Sequence, residues 1–237
     1  MDIEKVKTGI SGFDEITKGG LPKEQLTLLT GTTGTGKTTL CTQFIYNGAK
    51  NFKEPGVYLS FEDPEEHIRE GALAFGWDLR ALEKARKLAF IRYDPYRISD
   101  VMDILESTIR EIKARRVVID SISALGLYVK DRSELRRMIF DIAQTLRRLE
   151  CTPILVSEMV HGMPGISRYG VEEFVADSVI VLYYERVYSA FVRGVQVWKL
   201  RNSPHSETLH PYTITKAGIT VFPEEEAFIK LGPPARL

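Results

Sequence analysis

The chain has 237 residues, 43% apolar and 27% charged, which suits one sizeable soluble core and excludes a disordered or membrane-embedded composition. Its 32 Lys plus Arg balance 32 Asp plus Glu, so a formal net charge of zero gives no global argument for a nucleic-acid partner, while leaving room for a local basic patch. No run approaches the ~18 apolar residues of a membrane span, and Met1-Asp2-Ile3-Glu4-Lys5 is too charged for a signal-peptide core, so a cytoplasmic enzyme or switch is the expectation.

Residues 9–25 are rich in glycine and turn formers, with Gly19-Gly20-Leu21-Pro22 the sharpest turn signal. Leu26-Thr27-Leu28-Leu29-Thr30 reads as a short buried strand, followed at once by Gly31-Thr32-Thr33-Gly34-Thr35-Gly36-Lys37-Thr38. Thr38 to Ala49 then reads as a helix with Leu40, Phe44 and Ile45 on its apolar side. Strand, glycine-rich loop and helix in that order are the context a phosphate-binding loop requires.

A second strand at Val57-Tyr58-Leu59-Ser60-Phe61 ends at Glu62-Asp63-Pro64, and Pro64 with Glu65-Glu66 predicts a helix first turn, the helix reaching about Phe75. Leu88 to Arg92 reads as a third strand. Ser99 to Lys113 carries Ile104, Leu105, Thr108, Ile109 and Ile112 at helical spacing, and Val117-Val118-Ile119-Asp120-Ser121 follows as a buried strand. Ser133 is a candidate cap for a helix whose stripe is Leu135, Met138, Ile139, Ile142, Leu146 and Leu149, and Pro153 marks a turn into Ile154-Leu155-Val156-Ser157. The alternation predicts an α/β fold with a mainly parallel sheet covered by helices. After residue 158 the pattern changes to a 161–170 loop and four strands, near 178–184, 191–200, 211–215 and 219–222, joined by short turns. These predict an antiparallel extension of the same sheet, with an irregular tail at Gly232-Pro233-Pro234.

Triphosphate binding needs many donors in a tight concavity. Gly31, Gly34 and Gly36 let the backbone curl, the loop from Thr32 through Thr35 to Thr39 supplies amides and hydroxyls, Lys37 reaches the β and γ oxygens, and the Thr38 hydroxyl ligates Mg2+. The motif alone does not choose between ATP and GTP. Asp120, at the mouth of a buried strand, is the candidate magnesium carboxylate, with Ser121 as a hydrogen-bonding assistant. Glu62 is the candidate for orienting the attacking water, with Asp63 a supporting acid that also suits helix capping. Ser157-Glu158 reads either as a sensor of the γ-phosphate or as a polar strand end. Lys199 and Arg201, alternating on a strand, are either solvated charges or cations reaching a neighbouring subunit's phosphates. Arg136, Arg137, Arg147 and Arg148, interleaved with acids, read as a mixed charged outer face. His161, Arg168 and Tyr169 offer only an unspecific contact to DNA or a partner. The four histidines show no metal-ligand spacing, and Cys41 and Cys151 read as two buried thiols in a reducing compartment.

From about residue 6 to 223 the sequence resembles the KaiC-like branch of the RecA-like ATPases. The resemblance rests on Thr8-Gly9-Ile10-Ser11-Gly12-Phe13-Asp14 before the loop, Phe61-Glu62-Asp63-Pro64, the strand 117–121, Ser167-Arg168-Tyr169-Gly170-Val171-Glu172-Glu173-Phe174-Val175-Ala176-Asp177, and Trp198-Lys199-Leu200-Arg201-Asn202-Ser203-Pro204-His205. Phe13 stands where leucine is usual, Asp63 where the second of two glutamates is usual, and Asn202 where glycine is usual. The resemblance implies one RecA-like ATPase domain over 1–237, ATP and Mg2+ as ligands, water activation by Glu62, and a ring of six subunits in which Lys199 and Arg201 meet the adjacent subunit's γ-phosphate. A slow ATPase acting as an oligomeric switch on an unidentified protein client is the leading functional expectation. A DNA-interacting recombinase-like ATPase, a non-catalytic ATP-dependent scaffold and protein phosphotransfer are the alternatives.

Overall fold

A computed structural model of the protein describes residues 3–93, 98–126, 129, 131–160 and 165–227. The chain opens with β1 (Lys5–Val6), α1 (Phe13–Ile16) and β2 (Leu21–Pro22), β1 and β2 pairing antiparallel. Sequence reasoning gave this stretch only turns. Its order comes from one carboxylate: Asp14 accepts from Thr8 N at 2.9 Å, Thr8 Oγ1 at 2.7 Å and Gly9 N at 3.0 Å, while Phe13 and Ile16 bury.

Then come β3 (Thr27–Gly31), α2 (Lys37–Asn47), a π-helical turn at Gly48–Phe52, β4 (Gly56–Ser60), α3 (Glu65–Leu73), α4 (Leu79–Lys84) and β5 (Leu88–Arg92). They are followed by α5 (Ile98–Ile112), β6 (Arg116–Asp120), α6 (Ile122–Leu125), α7 (Arg132–Arg148), β7 (Thr152–Glu158) and α8 (Glu172–Val175). Four strands close the chain: β8 (Ser178–Val187), β9 (Ala190–Leu200), β10 (His210–Thr215) and β11 (Gly218–Val221). Among the described residues, nine strands form one sheet in the order β11-β10-β9-β8-β3-β7-β6-β4-β5. From β8 to β5 neighbours are parallel, and β9, β10 and β11 add antiparallel strands beyond β8. The expected antiparallel extension is therefore present.

The strands are short and apolar because both faces are covered, and their side chains alternate between two cores. Leu29, Tyr58, Val118 and Ile154 face α2, α3 and α4; Leu28, Val57, Val117, Ile119 and Leu155 face α5 and α7. Cys41 and Cys151 are buried free thiols, as expected. Burial pushes the Cys151 thiol up to about 12.

Three local expectations need correction, and one short helix is added. Pro153 lies inside β7 rather than in a turn, in register with Val117 of β6 and one residue ahead of the β3 pairing, which begins at Ile154, so on the β3 side no ladder bond needs its missing N–H. The cap of α7 is Asp131, which accepts from Ser133 N and Glu134 N, not Ser133. The short α4, capped by Asp78, was not foreseen. Arg201 lies just past the end of β9, not within it. The 161–164 part of the predicted loop and Gly232-Pro233-Pro234 fall outside the described residues.

One buried cation ties the base of the sheet together. Arg116, the first residue of β6, is 0% exposed. It donates to Glu54 Oε2 at 2.7 Å, Phe44 O at 2.8 Å and Lys7 O at 2.7 Å, with its guanidinium over the rings of Phe44 and Phe52 at 4.5 and 5.2 Å. Arg116→Ala strands a carboxylate and two carbonyls, so we expect a loss of about 3–5 kcal/mol, measured as a lower urea midpoint at an unchanged slope.

Candidate nucleotide-binding site

The loop between β3 and α2 is a backbone cradle. Gly34 and Gly36 stand at φ +77° and +88°, left-handed values that side chains resist. Gly36 caps α2 without a side-chain cap, and no acid occupies the first turn, so the positive end of the helix is left for an external anion. Thr35 is buried, and its Oγ1 donates to Thr32 O at 2.9 Å. Thr33 and Gly34 are exposed at the tip, whereas Thr32, Lys37, Thr38 and Thr39 are half-buried.

The antiparallel extension clasps this loop. Arg193 of β9 donates to Gly34 O at 3.1 Å while lying 4.2 Å over the Tyr184 ring, and the Tyr212 hydroxyl of β10 donates to Thr35 O. Sequence reasoning missed both, and no local pattern announces them.

Lys37 lies across the loop mouth, its Nζ donating to Gly31 O at 2.9 Å and Thr32 O at 3.0 Å. Burial lowers its pKa; the nearby carboxylates of Glu158, Asp120 and Glu62 oppose that. Thr38 Oγ1 is 3.3 Å from Asp120 Oδ2, so the two hard oxygen donors expected to serve Mg2+ meet at the start of α2. Asp120 is joined to Ser121 by a cis peptide bond. Its pKa is raised, first by desolvation and also by Asp63, while hydrogen bonds from Tyr58 and Thr38 and the charge of Lys37 pull the other way. Among the described residues no group of three or more His, Cys, Asp or Glu side chains forms a metal cage. Mg2+ needs none, since it takes one or two protein oxygens and fills its shell with phosphate oxygens and water. The donor set therefore fits that ion.

Glu62 follows the end of β4, exposed, and accepts from Ser121 Oγ at 3.0 Å. Ser121 thus links Glu62 to the strand bearing Asp120. Asp63 is exposed beside it; its main-chain oxygen accepts from Ser60 Oγ at 2.8 Å. It does not cap α3, whose cap position is Pro64.

Ser157 and Glu158 close β7 and meet the 165–170 part of the loop that follows it, Ser157 through a residue not singled out from sequence. Glu172 is wholly buried and accepts from Ser157 Oγ at 3.0 Å, Ser167 Oγ at 2.8 Å, Val171 N at 3.0 Å and Tyr169 N at 3.3 Å. The Tyr169 hydroxyl donates to Ser123 O at 2.9 Å, and Glu158 N to Ser123 Oγ at 3.0 Å. Arg168 lies 3.7 Å from Glu158, and His161 falls outside the described residues.

Lys199 and Arg201 stand elsewhere. Leu200 pairs with Ser178 at the start of β8, whereas Gly31 pairs with Leu182, four residues further along, roughly 13 Å at strand spacing. Lys199 Nζ donates to Glu173 O at 3.1 Å and Ala176 O at 2.5 Å, at the end of α8. Arg201 lies 3.5 Å from Asp177 Oδ1. Burial and then Arg201 lower the Lys199 pKa. Neither cation reaches the loop of its own chain. Asn202, in the glycine position of the resemblance, takes φ +55°, a left-handed value that asparagine tolerates, so the turn is kept.

The arginines of α7 lie on a mixed charged face: Arg148 pairs with Glu106, and Arg147 with Asp177. His210 is buried between Ser206 Oγ and Glu225 O, a structural use, and His205 sits near Ser203 O. No described helix is long and apolar enough to cross a membrane.

Residues 6–226 match the protein family described as "ATPase: KaiC". The chain is 39% identical over 231 residues to circadian clock oscillator protein KaiC 1 of Synechocystis sp., covering 93% of this chain and 44% of that protein. It is 37% identical over 231 residues to circadian clock oscillator protein KaiC of Synechococcus elongatus, covering 93% and 44% respectively. The chain thus spans less than half the length of these relatives. The crystal structure of a KaiC-like protein from the hyperthermophilic archaeon Pyrococcus horikoshii OT3 superposes with a TM-score of 0.86 at 36% identity, covering 94% of this chain and 100% of that one.

Proposed function

Because this chain belongs to the KaiC family of ATPases, we propose that it binds ATP with Mg2+ and hydrolyses it as one subunit of a ring-shaped regulatory switch. The fold is the RecA-like P-loop core with its mixed parallel and antiparallel sheet. The observation that carries the reading is the convergence, at the C-terminal ends of β3, β4 and β6, of a helix start without a side-chain cap, Lys37, the Thr38–Asp120 pair and Glu62. In open α/β sheets that edge is where ligands bind.

The backbone of Gly31 to Gly36 would wrap the phosphates, with Thr32, Thr33 and Thr35 shaping the loop and Thr39 in the first turn of α2. Lys37 would exchange its two loop carbonyls for phosphate oxygens. Thr38 and Asp120 would hold Mg2+, which when bound neutralises charge on the β and γ oxygens. Glu62, held by Ser121, would orient the attacking water and take its proton, with Asp63 adding negative potential beside it. Lys199 and Arg201 would act on the site of an adjacent subunit, because their own loop is out of reach. The 161–170 loop, whose residues 165–170 are held beside β7 by Glu172, would be the readout surface for a protein client, together with the subunit contacts.

The test is γ-labelled ATP turnover by the purified oligomer, with nucleotide affinity measured alongside. Lys37→Ala removes a charged contact to phosphate worth about 1.5–3 kcal/mol, so ATP affinity is expected to fall about 10- to 100-fold. Unchanged affinity defeats the assignment of the loop. Adding single-stranded DNA separates the recombinase-like alternative, which requires stimulated turnover; label appearing on protein instead of free phosphate selects phosphotransfer.

A further inference from the structure

Tyr58 is the middle residue of β4, 1% exposed, set in the sheet between Val118 of β6 and Phe90 of β5. A phenol there has to place its hydroxyl somewhere, since a buried hydroxyl left unpaired loses the hydrogen bonds it made to water. It donates to Asp120 Oδ2 at 2.7 Å. The register explains the reach: Tyr58 pairs with Val118 and Ser60 with Asp120, so the tyrosine lies on the same face as Asp120 and one side-chain step below it. Its ring packs against Phe90, centroids 5.6 Å apart, and Phe90 carries the Arg69 guanidinium 4.9 Å above it.

Thr38 Oγ1 approaches the same oxygen, Oδ2, at 3.3 Å. Asp120 Oδ1 has no hydrogen-bond partner among the described residues. One carboxylate oxygen is therefore held from below, and the other is free for a ligand.

We infer that Tyr58 is a positioning residue for the metal-binding carboxylate, fixing Asp120 through Oδ2 so that the rest of the group serves Mg2+. The inference rests on the proposed role of Asp120. Partners of this kind orient a metal ligand without touching the metal, and losing one typically weakens metal binding about 10- to 100-fold.

Tyr58→Phe deletes the hydroxyl and keeps the ring on Phe90. The measurements are Mn2+ binding to the ADP-loaded protein by electron paramagnetic resonance, and the affinity for a fluorescent ADP with Mg2+ and with EDTA. Asp120→Asn is the control. The expected result is Mn2+ affinity about 10-fold lower in Tyr58→Phe, with ADP affinity in EDTA unchanged. The Mg2+ concentration for half-maximal turnover should rise, with kcat recovering at saturating Mg2+. Equal weakening in EDTA and in Mg2+ shows a merely structural tyrosine and overturns the inference. Unchanged Mn2+ affinity in Tyr58→Phe alongside a loss in Asp120→Asn overturns it while leaving the role of Asp120 standing. Unchanged Mn2+ affinity in Asp120→Asn removes the reading on which both depend.

Discussion

Glu62→Gln is expected to retain ATP and lose its hydrolysis, with turnover falling about 10²- to 10⁴-fold. The substitution changes almost nothing but the chemistry. Glutamine matches glutamate in shape, and its amide oxygen can still accept the hydrogen bond that Ser121 Oγ gives to Glu62 Oε1 at 3.0 Å. What it loses is the capacity to take a proton from water. Glu62 is also exposed, so the change leaves no buried polar group unpaired. Single-turnover measurement with ATP preloaded isolates the step. Normal turnover in Glu62→Gln removes the residue from the chemistry. A lower ATP affinity with an unaltered single-turnover rate makes it a binding group instead. Asp63 stands next in the chain and is also exposed, so residual activity in Glu62→Gln should fall further in the double variant with Asp63→Asn. An unsubstituted protein that binds ATP and releases no phosphate would identify a scaffold, and neither acid would then be tested by its own loss.

The phosphate loop was legible because everything it needs is contiguous. Gly31 to Thr39 supply strand end, cradle and helix start within nine consecutive positions, and local spacing is what a single sequence displays. The parallel strands were legible for a related reason: a strand buried on both faces must be apolar throughout, and 27–31, 56–60 and 116–119 are buried at every position. The braces around the site were not legible. Arg193 meets Gly34 across 159 positions, Tyr212 meets Thr35 across 177, and Tyr58 meets Asp120 across 62. Nothing near any of these residues distinguishes it from an ordinary strand residue. Glu172 lay inside a quoted motif, yet a glutamate opening a helix reads as solvent-facing, and only the packed structure shows it buried. The small helix α1 has four residues, too few for a 3.6-residue period to register. Asp131 and Ser133 are of residue types that both suit a cap, and nothing in the local sequence says which of two positions two apart starts the helix.

Lys199 and Arg201 gained their role from the resemblance, and the fold sharpens it into a statement about two chains. Both cations lie at the end of the sheet away from their own loop, so a phosphate they act on would belong to a neighbouring subunit. Arg201→Ala is expected to reduce turnover about 10³- to 10⁵-fold if its guanidinium stabilises the transition-state charge in trans. The variant should fold, because Arg201 is half-exposed, and its partner Asp177 keeps a 3.0 Å contact with Arg147. Exposed pairs of that kind contribute at most about 1 kcal/mol. Lys199→Ala is the milder change, removing a cation from the C-terminal end of the short α8, where it satisfies two carbonyls. The decisive measurement mixes two inactive proteins. Lys37→Ala keeps an intact Arg201, and Arg201→Ala keeps an intact loop. In a mixed ring some interfaces join the good loop of one chain to the good arginine of the next, because a head-to-tail contact uses different surfaces on its two sides. Activity above that of either parent, appearing only after subunit exchange, is the signature of a shared site. If the mixture stays as inactive as its components while native mass measurement confirms that the subunits have exchanged, the arginine does not act in trans.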